Sequence, residues 1–278
     1  MYNLRLIIAM TVKELIRRKT LPILIAMTCL FLIVFDLEIQ QQRIYSAATN
    51  PLGNLTTLFG DKLLAAFFMN LVIAFIGIFI VAGFIPNDID NGTLFVVLAR
   101  PIKRWQLIVG KWLTVAFLEL LYLPLVIVTV QEIIVSHFPG AALNIPTLMQ
   151  LLAAFITEAW VINILALFSS IVLPHITAAI MVGLAFIANF ILGSIAPYSP
   201  SNSWTHHLFV LFQFLLPTDD LYRRAWYEWN GGASNPLILT GGPFGGNHPV
   251  PVAIVIYALF YIASTLWLSC TVFDHLDF

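Results

Sequence analysis

The chain is 278 residues long, with 60% of them hydrophobic and only 10% charged, where ordinary soluble domains carry about a quarter charged. That composition excludes a water-soluble globular domain and marks an integral membrane protein, all-α by expectation. A net charge of -1 gives no reason to expect nucleic acid, and the two cysteines, Cys29 and Cys270, both sit inside apolar runs where they act as small hydrophobes.

Residues 3 to 19 form a candidate helix with Leu4, Ile8, Val12, Leu15 and Ile16 near one face and Lys13, Glu14, Arg17 and Arg18 at its far end. Residues 1–20 are therefore expected to lie along the inner membrane surface; a plain extension of the first span is the other reading. Crossing about 30 Å of hydrocarbon takes about 20 mostly apolar residues. Six runs meet or approach this: 21–39, 63–85, 113–135, 148–173, 177–196 and 252–273. Asp36 and Glu38 shorten the first, but Ser46-Ala47-Ala48 lies too far beyond it to be a signal cleavage site, so it stands as a span. Nine of the thirteen basic residues precede the first span or lie between the second and third, and Arg43, Lys62, Arg223 and Arg224 fall on the other side. Both termini and the segment 86–112 are thus expected in the cytoplasm.

The external segment 197–251 is the largest region outside the spans. Its apolar piece 208–216 is too short to cross but long enough to dip in, and Pro217 ends it. Thr218 is then expected to cap a helix that opens with Asp219 and Asp220 and stops at Asn230-Gly231-Gly232. Tyr222, Trp226 and Trp229 make an aromatic stripe suited either to the outer headgroup level or to packing on the protein's own spans. His206, His207 and His248 share this region, yet no Cys or carboxylate at ligand spacing completes a metal site.

Residues 87–111 read NDIDNGTLFVVLARPIKRWQLIVGK. Asp88, Asp90 and Asn91 supply helix caps and negative charge, Arg100 closes the short run 93–99, and Pro101 opens a second helical piece leading into the third span. Leu94, Phe95, Val96, Val97 and Leu98 are all apolar. A helix apolar on nearly every side must insert into lipid or protein.

Asp88-x-Asp90-Asn91-Gly92-Thr93-Leu94, followed by Leu98, Arg100-Pro101-Ile102, Arg104 and Gly110-Lys111, resembles the acid-x-acid-x-Gly-Thr-Leu…Pro-h-x-Arg…Gly-Lys pattern of permease subunits from type-2 ATP-binding-cassette (ABC) exporters. Lys13-Glu14-Leu15 with Arg17 and Arg18 is similar to that family's N-terminal interface helix, and Leu215-Leu216-Pro217 to its external loop. Two Asp stand where the family often has Glu, and the external segment is longer than in the simplest members. The resemblance implies one permease domain over 1–278 with a coupling helix around residues 87–104. In that domain Asp88, Asp90, Gly92, Thr93, Leu94, Phe95, Leu98, Arg100, Pro101 and Arg104 meet a separate ATPase subunit. It also implies a second copy or a sister permease, two ATPases that bind ATP and magnesium, and a prokaryotic cell membrane. Gly110-Lys111 lacks the upstream glycine and following Ser/Thr of a phosphate loop, so energy is expected from the partner.

Glu158 falls near the middle of the fourth span and Glu119 a third of the way along the third. An intramembrane carboxylate is costly and is a functional candidate by default. These two could line a translocation path, pair across a dimer, or be bonded to Asn163, Asn70 or Asn189. They also keep two rival functions open: an ion-coupled secondary transporter and an intramembrane enzyme. Against the enzyme, no paired Glu, His-x-x-x-His or Gly-x-Ser-x-Gly is present.

Overall fold

A computed structural model describes residues 2–17, 20–46, 51–94, 103–195, 198–200, 202–231 and 250–276. Among them the chain is helical, with no strand. Backbone amides in hydrocarbon have no water to bond, and a helix satisfies them within the segment. The helices are α1 (Tyr2–Arg17), α2 (Thr20–Ser46), α3 (Pro51–Phe75), α4 (Phe84–Asp90), α5 (Arg104–His137), α6 (Ile145–Val172), α7 (His175–Ile195), α8 (Trp204–Leu215), α9 (Thr218–Trp229) and α10 (Ala253–Asp274). Among the described residues six stretches are long and apolar enough to cross a bilayer: Leu21–Gln42, Thr57–Asp90, Arg104–His137, Ile145–Val172, His175–Ile195 and Ala253–Asp274. They coincide with the six expected runs.

The differences lie at the ends and in the second span. Expected from 63 to 85 without a break, that span passes from α3 through a π-helical turn, Ile76–Val81, into α4. Such a turn rotates the following residues relative to those before it, and here it lays Gly77 on α6. A Cβ at Gly77 would meet Ile162 Cγ2 at 2.3 Å, so only the bare backbone fits. The third span begins nine residues ahead of the expected 113, because α5 runs on past the hydrocarbon. Its 34 residues correspond to about 50 Å, well over the thickness of the bilayer core.

The central span is α6, which touches α3, the π turn, α4, α5, α7, α9 and α10. Around it α2, α7 and α10 keep mostly exposed apolar faces, such as Ile23, Leu30 and Ile33 on α2 and Ile256, Phe260 and Trp267 on α10. These are the faces a helix presents to lipid or to a partner helix. The N-terminal helix α1 packs on α5 and α2 rather than standing clear of them. Its buried edge is Ile7, Thr11 and Leu15, while Ile16, read from sequence as part of the apolar face, is 65% exposed. Contact with α5 turns the helix by about one residue from the expected stripe.

Candidate functional site

At the end of α4 the backbone amide of Asn91 donates to the Asn87 carbonyl and that of Gly92 to the Ile89 carbonyl, both at 3.0 Å. Gly92 then takes φ +69, the left-handed conformation that terminates helices and that glycine adopts without strain. No described atom lies within 4 Å of where its Cβ would be, so the glycine answers to the backbone here and not to crowding inside the chain. The Thr93 hydroxyl donates back to the carbonyl and carboxylate of Asp88, each at 3.2 Å. Asp90, Asn91 and Thr93 are left exposed.

Asp88 is not a free rim charge. Lys111, two turns into α5, forms an ion pair with it, donates to the Phe84 carbonyl at 2.9 Å and stands 5.2 Å over the Phe84 ring. The ammonium is buried and the carboxylate nearly so. This closes the second span onto the third, and it uses the lysine of the Gly-Lys pair that sequence reasoning had left out of the functional set.

Arg104 likewise has partners within the chain. Its Nη1 donates to the carbonyls of Phe273, Asp274 and Leu276 at 3.5, 3.3 and 2.5 Å, so it caps the C-terminal end of α10. Leu94 departs from the expected docking role as well: it has no exposed surface and belongs to the protein's own core. It follows the Gly92 bend by only two residues and faces inward. Phe95, Leu98, Arg100 and Pro101 lie outside the described residues.

Both intramembrane acids are inside the protomer. On α5, Glu119 is 2% exposed and accepts from Asn163 Nδ2 of α6 at 2.5 Å, which is one of the three amides named from the sequence. Glu158 on α6 has no exposed surface, and neither of its oxygens has a hydrogen-bond partner among the described residues. The Asp219 carboxylate of α9 acts on it electrostatically.

That helix is the unexpected part of the external segment. Every residue of α9 except Tyr227 is buried, charged residues included. The choice left open for its aromatic stripe falls to packing: Trp226 meets Phe59 of α3 edge-on at 4.9 Å, Tyr222 meets Phe190 of α7 at 5.6 Å, and Trp229 meets Phe155 of α6 at 6.3 Å. Polar side chains from four spans hold its ends. Lys62 of α3 donates to the Trp229 carbonyl at 2.8 Å, and Gln131 of α5 accepts from the Trp229 indole at 2.8 Å. Gln150 of α6 accepts from Arg224 at 3.0 Å, and Asn189 of α7 donates to the Leu216 carbonyl and the Thr218 hydroxyl at 2.8 and 3.0 Å. Thr218 was expected to cap α9; Pro217 occupies the cap position instead, and the threonine hydroxyl serves Asn189. Within the helix Arg223 pairs with Asp219 at 2.7 Å, and Arg224 pairs with Glu228. Burial pushes the Asp219 carboxyl up to about 6, with Arg223 pulling the other way.

At the start of α8, His206 and His207 stand side by side with ring centroids 6.4 Å apart, and His248 lies outside the described residues. Among the described residues no three His, Cys, Asp or Glu side chains gather as a metal site would require.

Six helices long enough to span a bilayer, a loop pinned to its neighbours and a buried amphipathic helix describe a polytopic membrane protein. No curated protein matches the chain. The family model described as ABC-2 family transporter protein matches residues 7–268, nearly the whole length, and the chain belongs to that family.

Proposed function

We propose that this chain is a single transmembrane permease domain that works as half of an ATP-driven exporter, facing a second copy or a sister permease over two ABC ATPase subunits. ATP and magnesium sit in those partners. The termini and the loop between the second and third spans face the cytoplasm, in keeping with the nine basic residues on that side, and the host membrane is a prokaryotic cell membrane.

The observation that carries this reading is a loop fixed at its start, where Asp88 joins Lys111, and at its end, where Arg104 joins α10. It turns Asp90, Asn91 and Thr93 outward immediately before the apolar run 95–98. Structural turns rarely need an apolar run in water; a docking plug does. The plug begins after Leu94, and its ATPase-facing rim is Asp90, Thr93 and Arg100. Glu119 and Glu158 line the translocation path only if that path opens within the protomer beneath α9, since both are enclosed there. Neither rival function gains an observation: Glu119 is bonded to Asn163 rather than paired with Glu158, and membership of a transporter family speaks against an enzyme.

The test is co-purification of the permease with its ATPase. Phe95→Asp would bury an unpaired carboxylate in the docking groove, at a cost of about 3–5 kcal/mol, so the variant should insert normally and lose the ATPase. Full retention of an active ATPase complex would overturn the docking assignment.

A further inference from the structure

Arg104 stands in the first turn of α5, the end of a helix whose dipole disfavours a cation. It is satisfied by another helix. The last carbonyls of a helix have no partner within it, and the dipole there attracts positive charge. Arg104 meets two such oxygens at the end of α10, those of Phe273 and Asp274, and the Leu276 carbonyl two residues past the helix. One guanidinium therefore joins the start of the third span to the end of the sixth, 169 to 172 residues away in sequence.

The other end of the loop is held as firmly. Lys111 fastens Asp88 and the Phe84 carbonyl to α5 two turns further on. Both ends of the loop are thus fixed to the first two turns of α5, and the first of those turns is fixed to α10. A push on the loop moves α5 directly, because loop and helix are continuous at residue 103. It reaches α10 at the cytoplasmic end through the Arg104 contact.

We propose that Arg104 is the positioning residue that passes movement of the ATPase-facing loop to the last span, acting on α10 rather than on the ATPase. The inference rests on the docking reading above. A guanidinium suits the task because its rigid plane holds Nη1 against all three carbonyls, where a lysine offers a compact point charge on a flexible stem. These contacts run from a side chain to main-chain carbonyls, so they follow the position of the backbone at the end of α10.

The experiment uses the permease and ATPase purified through a tag on the ATPase, so that every molecule measured carries a docked partner. Cys29 and Cys270 are replaced by serine, and spin labels are placed at Trp267→Cys on α10 and Ile176→Cys on α7, positions 69% and 72% exposed. The distance between them is measured without nucleotide and with ATP and vanadate. With Arg104 intact the distance should change on trapping ATP. In Arg104→Ala the complex should still be recovered but the change should be lost, and Arg104→Lys should restore part of it. An undiminished change in Arg104→Ala overturns the proposal. Loss of the ATPase from Arg104→Ala also overturns it, because that would make Arg104 a docking contact. No change in the chain carrying Arg104, with the ATPase bound, defeats this inference and leaves docking standing; no ATPase bound at all defeats the docking reading itself.

Discussion

Gly193 gives the sharpest test of how the external helix is seated. It lies buried on α7, and a Cβ there would fall 1.9, 2.3 and 2.6 Å from Oδ2, Cγ and Oδ1 of Asp219 on α9. Real Cβ atoms do not approach closer than 3.0 Å, so Asp219 would have to withdraw by about 1 Å. It has little freedom to do so, being 3% exposed and paired with Arg223 at 2.7 Å. Gly193→Ala should therefore cost about 1–3 kcal/mol as overpacking, rising toward about 3–5 kcal/mol if the strain breaks the ion pair. Gly60 is the control. It is exposed on α3 with no atom within 4 Å of its would-be Cβ, so Gly60→Ala should stabilise by about 0.5–1 kcal/mol through helix propensity alone. Thermal unfolding in nanodiscs, followed by tryptophan fluorescence, reads both changes, because Trp226 and Trp229 are wholly buried on α9. Opposite shifts are expected. A Gly193→Ala midpoint equal to or above that of Gly60→Ala would refute the packing of α9 against α7.

Three further outcomes follow from the geometry. Lys111→Met should lower stability by about 3 kcal/mol, since it strands a mostly buried Asp88; the double change with Asp88→Asn should recover most of the loss in the same unfolding assay. Glu158→Gln should leave the midpoint unchanged or raised, because neither carboxylate oxygen has a partner to lose among the described residues and the acidic Asp219 lies near; a clear drop would reveal an ion pair at that site. Cysteines at the exposed positions Asn91 and Asn202 should react with a membrane-impermeant reagent from opposite faces of sealed vesicles, and labelling of both from one face would end the six-span arrangement.

The spans were legible because the bilayer imposes both length and composition, and six runs satisfy it whatever they pack against. Their ends were not, since a helix continues wherever its residues find contacts: α5 starts at Arg104 because α10 receives that side chain, a contact 170 residues distant that no local pattern encodes. The external helix was legible as a helix from Pro217, the paired aspartates and Gly231, which does take a left-handed φ of +84. The depth of its burial was not legible, because an aromatic stripe marks one packed face and says nothing of Asp219, Asp220, Arg223, Arg224 and Glu228, which are buried too. The groups that make burial tolerable are four scattered polar residues, Lys62, Gln131, Gln150 and Asn189, each on a different span. In the loop between the second and third spans the pattern puts Asp88, Asp90 and Asn91 at the start of a helical piece, whereas α4 ends at Asp90 and Gly92 bends the chain; the inward turn of Leu94 was hidden too, for an all-apolar run does not say which of its members face the protein that carries them.

One arrangement recurs at both faces of the membrane. At one face Lys62 grips the last carbonyl of α9; at the other Arg104 grips carbonyls at and just past the end of α10, and Lys111 grips the Phe84 carbonyl at the start of α4. Cations from the spans are satisfied as much by main-chain oxygen as by acids, which suits a membrane protein in which charge is scarce and helix ends are many. Between those faces the contacts are apolar apart from a few groups such as Glu119 with Asn163. Helices joined this way behave as stiff members fastened near their ends. The member common to both faces is α5, which carries Arg104 and Lys111 at its inner end and Gln131 at its outer end, about 40 Å from Arg104 along the helix axis at 1.5 Å per residue. Any tilt of α5 that keeps its fastenings must therefore be felt both at the end of α10 on one face and at the end of α9 on the other.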